Sequence, residues 1–287
     1  MKKWKLFLSL ILGVSVFNTN AQTPDEVFFD KGCAYFEANK NDSALIVFRD
    51  LKRLYPQSES VPRADYNIAF ILKEQGDIEA AKSAFKAILS SNYNDKDRGS
   101  GGIMDNPYAL YKHNSCEILS ELYLVEKNYA EAEKYIKLFD KKYPYQHFCG
   151  NEWSAYNTYK AKQYAIVYDG QGQTDKAIGT LLPYVFADGL SDNEILLTEL
   201  YRLLEKKYTA EAIKKELLNA LQTLKIVNKR DDEFATIVFF GQKVAVNEGA
   251  LYDLSNPNWQ DNMDLKSAEK YRKAVLISGL YKRYEIK

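Results

Sequence analysis

The sequence predicts a mainly α-helical chain, a solenoid of antiparallel helix pairs with a small β-hairpin near its C-terminal end. Three observations carry this reading. Apolar residues recur at helical spacing along most of the chain. One set of marker residues returns at a fixed interval, the signature of a repeat architecture. The short polar stretches NKND, EQGD, EKNY and GQGQTD each fall between two apolar-periodic segments, where a turn is needed. With 287 residues, 46% of them hydrophobic and 27% charged, the chain is long enough for such an array and ordinary in composition.

The first 21 residues read as a leader rather than as fold. MKKWK is a positive start, and LFLSLILGVSVF is an apolar run of 12 residues, too short to span a bilayer as a stable helix. Thr19 and Ala21 then place small residues before Gln22, as a signal peptidase site requires. No cysteine lies at the cut, so the expected product is exported, periplasmic or secreted, and carries no integral membrane anchor. Cleavage after Ala21 leaves 36 basic against 39 acidic residues, a net charge of −3. Without a basic excess to neutralise phosphates, nucleic acid is not an expected partner.

The array is expected over residues 22–189. Its first unit has Gly32, Tyr35, Ala44, Phe48, Leu51 and Pro56 as markers. Small residues at the first and third of these let two helices approach, large ones fill the seam, and proline stops the second helix. The second unit repeats them as Ala69, Leu72, Ala81, Phe85 and Ile88. The third has Ser120, Tyr123, Ala132, Ile136, Phe139 and Pro144, and the fourth Ala165, Tyr168, Ala177, Leu181 and Tyr184.

At a period of about 34 residues this pattern resembles the tetratricopeptide repeat (TPR). Phe28 stands where the first aromatic marker is usually tryptophan. The step LYPQSESVPRADYNIAF resembles the TPR units of bacterial cell-envelope proteins, of the outer-membrane assembly and Tol-Pal accessory types. That resemblance implies an envelope setting. It also implies a groove lined by the first helix of each pair, where an extended segment or an inserted helix of a protein partner binds. The positions that face such a groove are Phe29, Cys33 and Phe36 in the first unit and Arg63, Tyr66, Phe70 and Lys73 in the second. In the third and fourth they are Glu117, Glu121, Tyr159 and Lys162.

Residues 190–287 depart from the pattern. NEILLTELYRLLEKKY and TAEAIKKELLNALQTLKIV are amphipathic at a helical period and make a diverged fifth pair. FATIVFFGQKVAVNEG has two β-branched and aromatic runs divided at Gly241-Gln242, which predicts a hairpin; a short buried helix is the competing reading. RDDE at 230–233 reads as a solvated turn and YDLSNPNWQDNMD as a polar loop. LKSAEKYRKAVLISGLYKRY closes the chain as a helix.

His113, Cys116, His147 and Cys149 form an H-x-x-C followed by an H-x-C, which raises a metal site or a disulfide. The third unit's first helix is expected over about 107–126, its second over about 129–142, and the next helix from near Asn151. On that layout Cys116 lies on the order of 15 Å above Cys149. A disulfide tolerates roughly 7 Å between Cα atoms, so neither this bridge nor a four-ligand zinc site is expected. A contact of His113 with the 147–149 segment stays open, beside the plainer reading of buried thiols and a histidine near a helix foot.

No cofactor or catalytic fingerprint stands out: there is no G-x-S-x-G, H-E-x-x-H, P-loop or dinucleotide motif. In the long break SSNYNDKDRGSGGIMDNP, Asp95 and Asp97 do not fit the EF-hand spacing. The expected work is therefore binding rather than catalysis, as an envelope scaffold or adaptor. The alternative is a periplasmic immunity or inhibitor protein that makes its specific contact through the irregular C-terminal part.

Overall fold

The computed structural model describes residues 22–94, 110–145, 150–186, 193–229, 232–246, 251 and 265–286. The leader, the Asp95/Asp97 segment, His147, Cys149 and the polar loop at 252–264 lie outside the described residues.

Among the described residues five helix pairs follow one another: α1 (Pro24–Glu37) with α2 (Asn41–Leu54), and α3 (Val61–Glu74) with α4 (Ile78–Ser90). Next come α5 (Tyr111–Val125) with α6 (Tyr129–Lys137), and α7 (Gly150–Gly170) with α8 (Thr174–Leu181). The fifth pair is α9 (Glu194–Lys207) with α10 (Ala210–Gln222). Pro24 sits in the first turn of α1, where its missing N–H costs nothing. The Thr23 N–H donates to the Glu26 carboxylate at 2.8 Å and satisfies another end group. Asp77, Asn128 and Thr209 cap α4, α6 and α10 by accepting from N–H groups of the first turn.

The marker residues lie where the repeat predicts. Ala44, Phe48, Leu51, Ala69, Ala81, Phe85, Ala132, Ile136, Phe139, Ala165, Ala177 and Leu181 are all fully buried. A Cβ on Gly32 would meet the Phe48 ring at 2.5 Å, so only glycine allows α1 and α2 this close. The polar turns reverse the chain through one left-handed residue each: Asn39, Gly76, Lys127 and Gly172, with φ of 56°, 80°, 58° and 79°. The core is segmented as a stacked array requires. One cluster joins α1, α2 and α3, a second runs from α3 to α7, and a third from α7 to the chain's end.

Several boundaries differ from expectation. The helix expected from about residue 107 begins at Tyr111, after a non-helical Leu110. The end of the third pair widens into a π-helical turn over Leu138–Lys142. The segment KIV at 225–227 is not the end of a helix but part of a strand, β1 (Lys225–Lys229). Thr223 ends α10: its hydroxyl donates to the Ala220 carbonyl at 2.7 Å and accepts from the Val238 N–H at 2.7 Å.

The hairpin is present, β2 (Asp232–Phe239) with β3 (Gln242–Val246), and β1 adds a third antiparallel strand in the order β1-β2-β3. The turn falls one residue earlier than expected. Phe239 pairs with Gln242, so Phe240 and Gly241 are the central residues, with φ of 46° and 74°. Two left-handed residues are what a tight turn matching the strand twist needs. Phe240 is held there by stacking on Tyr208 (4.6 Å between centroids) and by its N–H donating to Glu216 at 2.7 Å. Of the RDDE stretch, Asp232 and Glu233 belong to β2 rather than to a turn.

The closing segment is two helices, α11 (Ser267–Ile277) and α12 (Gly279–Arg283), broken at Ser278, whose ψ is 153°. A Cβ on Gly279 would meet Leu197 at 2.7 Å, so α12 lies tight against α9. The Tyr281 hydroxyl donates to the Leu217 carbonyl and the Tyr271 hydroxyl to the Glu233 carbonyl, at 2.8 and 2.7 Å. Sheet and closing helices thus seal one core with the last two helix pairs, as a cap seals a solenoid. No helix among the described residues is long and apolar enough to cross a membrane.

Candidate binding groove

The first helices carry every residue singled out for the groove, and their surroundings divide the face into two stretches. On α1 and α3 it is aromatic and cationic. Phe29 is buried at 4% exposure, packed on Phe48 and covered by the Arg63 guanidinium at 4.2 Å. It is floor rather than surface, and Arg63 is what a visitor would meet. Phe36 and Phe70 are half-buried and meet edge to face at 6.1 Å, joining the first two pairs across the face. The Lys73 ammonium lies over Phe70 at 4.8 Å and pairs with Glu74 at 2.7 Å. Cys33 is half-buried against the first core cluster, and burial pushes its thiol pKa up. Tyr66 turns from the face into the second core cluster, against Phe85 and Tyr111.

On α5 and α7 the face is acidic and phenolic. Glu117 is half-buried and Glu121, one turn on, is exposed. The Tyr159 hydroxyl donates to Glu121 Oε1 at 3.0 Å. Burial, and the Glu121 charge beside it, raise the Glu117 carboxyl to about 7, against the pull of the Tyr159 hydroxyl. Burial likewise drives Tyr159 well above the usual phenol range, so it stays a donor at neutral pH. Lys162, one turn along α7, is half-buried.

His113 lies one turn below Glu117 and is fully buried. Its Nδ1 is 2.6 Å from the Tyr143 carbonyl, which can only accept, so Nδ1 carries the proton. Nε2 then accepts from the Tyr156 hydroxyl at 3.0 Å. Phe139, Tyr145 and Tyr156 surround the ring at 5.4 to 5.8 Å. Burial lowers the His113 pKa. The histidine pins α5 to the end of the third pair and to α7. Cys116 is buried in the second cluster, and among the described residues no group of three or more His, Cys, Asp or Glu could hold a metal.

Two of the open cavities among the described residues involve first helices. One of about 930 Å³ lies at the N-terminal ends of α1 and α3, with Asp25, Glu26, Asp30, Glu59 and Arg63 in its wall. The other, about 670 Å³, lies between α9 and α12 and is lined by Tyr201, Arg202, Glu205 and Arg283 among others. Sequence reasoning missed this second cavity because α12 and α9 are far apart along the chain. It also missed Tyr156 and Tyr145, which stack at 4.7 Å beside the acidic stretch. The aromatic spacing of α7 was the available signal.

Comparison with known proteins bears on the first two pairs. Tetratricopeptide repeat models match residues 26–58 and 63–95. No curated protein matches. A solved structure described as "MamA RS-1 ArsTM double mutant" is similar at 13% identity and a TM-score of 0.39, over 64% of this chain and 96% of its own. The first two helix pairs are thus similar to tetratricopeptide repeats, and the pairs behind them continue the same antiparallel arrangement.

Proposed function

We propose that this chain is an exported scaffold or adaptor of the bacterial cell envelope that holds a protein or peptide partner along the face of its first helices. The observation that carries this reading is the contact of Phe36 with Phe70. Two half-exposed aromatics from consecutive repeats form an apolar strip, and the cationic groups of Arg63 and Lys73 lie over the rings of Phe29 and Phe70 beside it. Such a strip suits the side chains of an extended segment, with charge beside it to fix orientation. The leader and the envelope-type step between the first two repeats support the compartment.

The double variant Phe36→Ala/Phe70→Ala tests the reading, since both rings are half-exposed and their loss leaves the buried markers in place. Partner capture from envelope extract, quantified against the unaltered chain, is expected to drop at least tenfold. Undiminished capture would overturn the groove reading. Deleting residues 230–287 is unsuitable as the converse control, because Ile237, Tyr271 and Tyr281 belong to the same core as α9 and α10. Arg283→Ala at the cavity between α9 and α12 is the gentler comparison.

A further inference from the structure

We propose that Gln22 closes into a pyroglutamate ring once the leader is removed, with Asp30 holding the amide nitrogen that departs. The inference rests on the leader reading above, which places the cut after Ala21. Its test reads the cut and the ring closure separately.

Gln22 lies just outside the first helix. Thr23 is the N-cap of α1 and Pro24 its first residue. The Thr23 N–H donates to Glu26 at 2.8 Å, and the first backbone bond of the helix runs from the Val27 N–H to the Thr23 carbonyl. The chain is therefore fixed from Thr23 onward. Gln22 is exposed, and its side-chain Nε2 donates to Asp30 Oδ2 further along α1. Both residues line the open cavity of about 930 Å³ at the ends of α1 and α3. Closing the ring rotates only bonds of Gln22 itself, so α1 keeps its cap and its first turn.

Cleavage before Gln22 frees an α-amine within ring-closing reach of the carboxamide carbon of the same residue. An intramolecular attack of this kind has an effective concentration of up to the order of 10⁵–10⁸ M. An α-amine titrates at about 7.7–8.0, so part of it is the free base at neutral pH. The amine adds its lone pair to Cδ. A proton passes from the α-nitrogen to Nε2, the Cδ–Nε2 bond breaks, and ammonia leaves with the bonding pair. The product is a five-membered lactam whose nitrogen keeps one hydrogen. Nothing is oxidised or reduced, and no other reactant is consumed. Nε2 turns positive as it takes the extra proton, and the Asp30 carboxylate bonded to it stabilises that charge.

The competing fate is an α-ammonium paired with the acids of the cavity wall, Asp25, Glu26, Asp30 and Glu59. Ion pairs at such open positions are worth little. They also hold the amine only while it is charged, whereas closure loses ammonia to solvent. The acids thus delay the ring rather than prevent it. The lactam is neutral and adds no positive charge at the positive end of α1, which Asp25 and Glu26 already complement. It also leaves no free amine for an aminopeptidase beside the helix cap.

The test isolates the mature chain from the envelope of cells that express the full sequence. Free amines are labelled, and the intact mass and the N-terminal peptide are then read by mass spectrometry. The expected chain begins at residue 22, is one ammonia lighter than its open form, and has an unlabelled N-terminus. Gln22→Glu would have to expel water from a carboxylate, so its N-terminus should stay open and labelled. A mature chain with an open, labelled Gln22 would overturn the proposal and leave the leader reading standing. A chain that keeps residues 1–21, or begins elsewhere, would overturn the leader reading and the proposal with it. The same chain released at Gln22 from a cleavable fusion gives the rate of closure. That rate should rise as pH climbs through about 7.7–8.0, where the amine loses its proton. In Asp30→Asn it should fall at least threefold with the thermal midpoint held; an unchanged rate would overturn the part given to Asp30.

Discussion

The four N-terminal helix pairs and the C-terminal cap use the same chemistry at different ranges along the chain. In the pairs, contacting residues are near in sequence: Gly32 meets Phe48, and Asp77 caps the helix that follows it. In the cap, Tyr281 reaches Leu217, Gly279 lies on Leu197, and Gln242 donates to the Gly179 carbonyl at 3.1 Å. A stacked array can lose one unit and keep the others, because each unit touches only its neighbours. A cap whose contacts span many elements fails or holds as one body.

The largest test of this contrast is Phe48→Ala. Emptying the seam of the first pair should cost about 3–5 kcal/mol there, as large buried aromatics do. Amide exchange should quicken in α1 and α2 while β2 and α10 keep their protection. Equal loss of protection in the cap would show that the chain unfolds as one unit. A smaller effect is expected from Tyr281→Phe, which removes one buried hydroxyl and its bond to Leu217. A loss of about 1 kcal/mol follows, and it should spread evenly over α10, α12 and the sheet in the same measurement.

The smallest effect concerns His113, at the joint of the third and fourth pairs. Its folded pKa is lowered, so the fold favours the neutral ring. This stability is fully present above the ordinary histidine pKa of about 6.5 and is lost as pH falls through the lower folded value. Protonation would also break the bond accepted from Tyr156. The thermal midpoint should therefore fall between pH 7.5 and pH 5, and His113→Gln should flatten that part of the profile. An unchanged slope in the variant would assign the acid sensitivity to other groups.

Legibility in the sequence follows the same division. Ala44, Ala81, Ala132 and Ala177 were readable as close-approach positions because a repeat displays each constraint four times. Glu117 and Glu121 were readable as neighbours one turn apart on one helix, but the tyrosine that reaches them from α7 was not. Those depend on how α7 leans on α5. Phe29 and Tyr66 illustrate the limit from the other side. Their repeat positions were plain, yet burial under Arg63 and against Tyr111 is a matter of packing between units. The strand at 225–229 was missed because KIV continues an apolar helical period, and Thr223 ends α10 only once β2 is beside it.

The sequence alone determined the helix pairs, their turns and the residues between them, because periodicity and turn chemistry act within a few residues. It also favoured a hairpin behind them over a short buried helix. Only the tertiary structure decided the third strand, the break at Ser278, the sealing of the array by α12, and the approach of Tyr159 on α7 to Glu121 on α5. Each of these is an energy of contact between segments far apart in the chain, which no local pattern encodes.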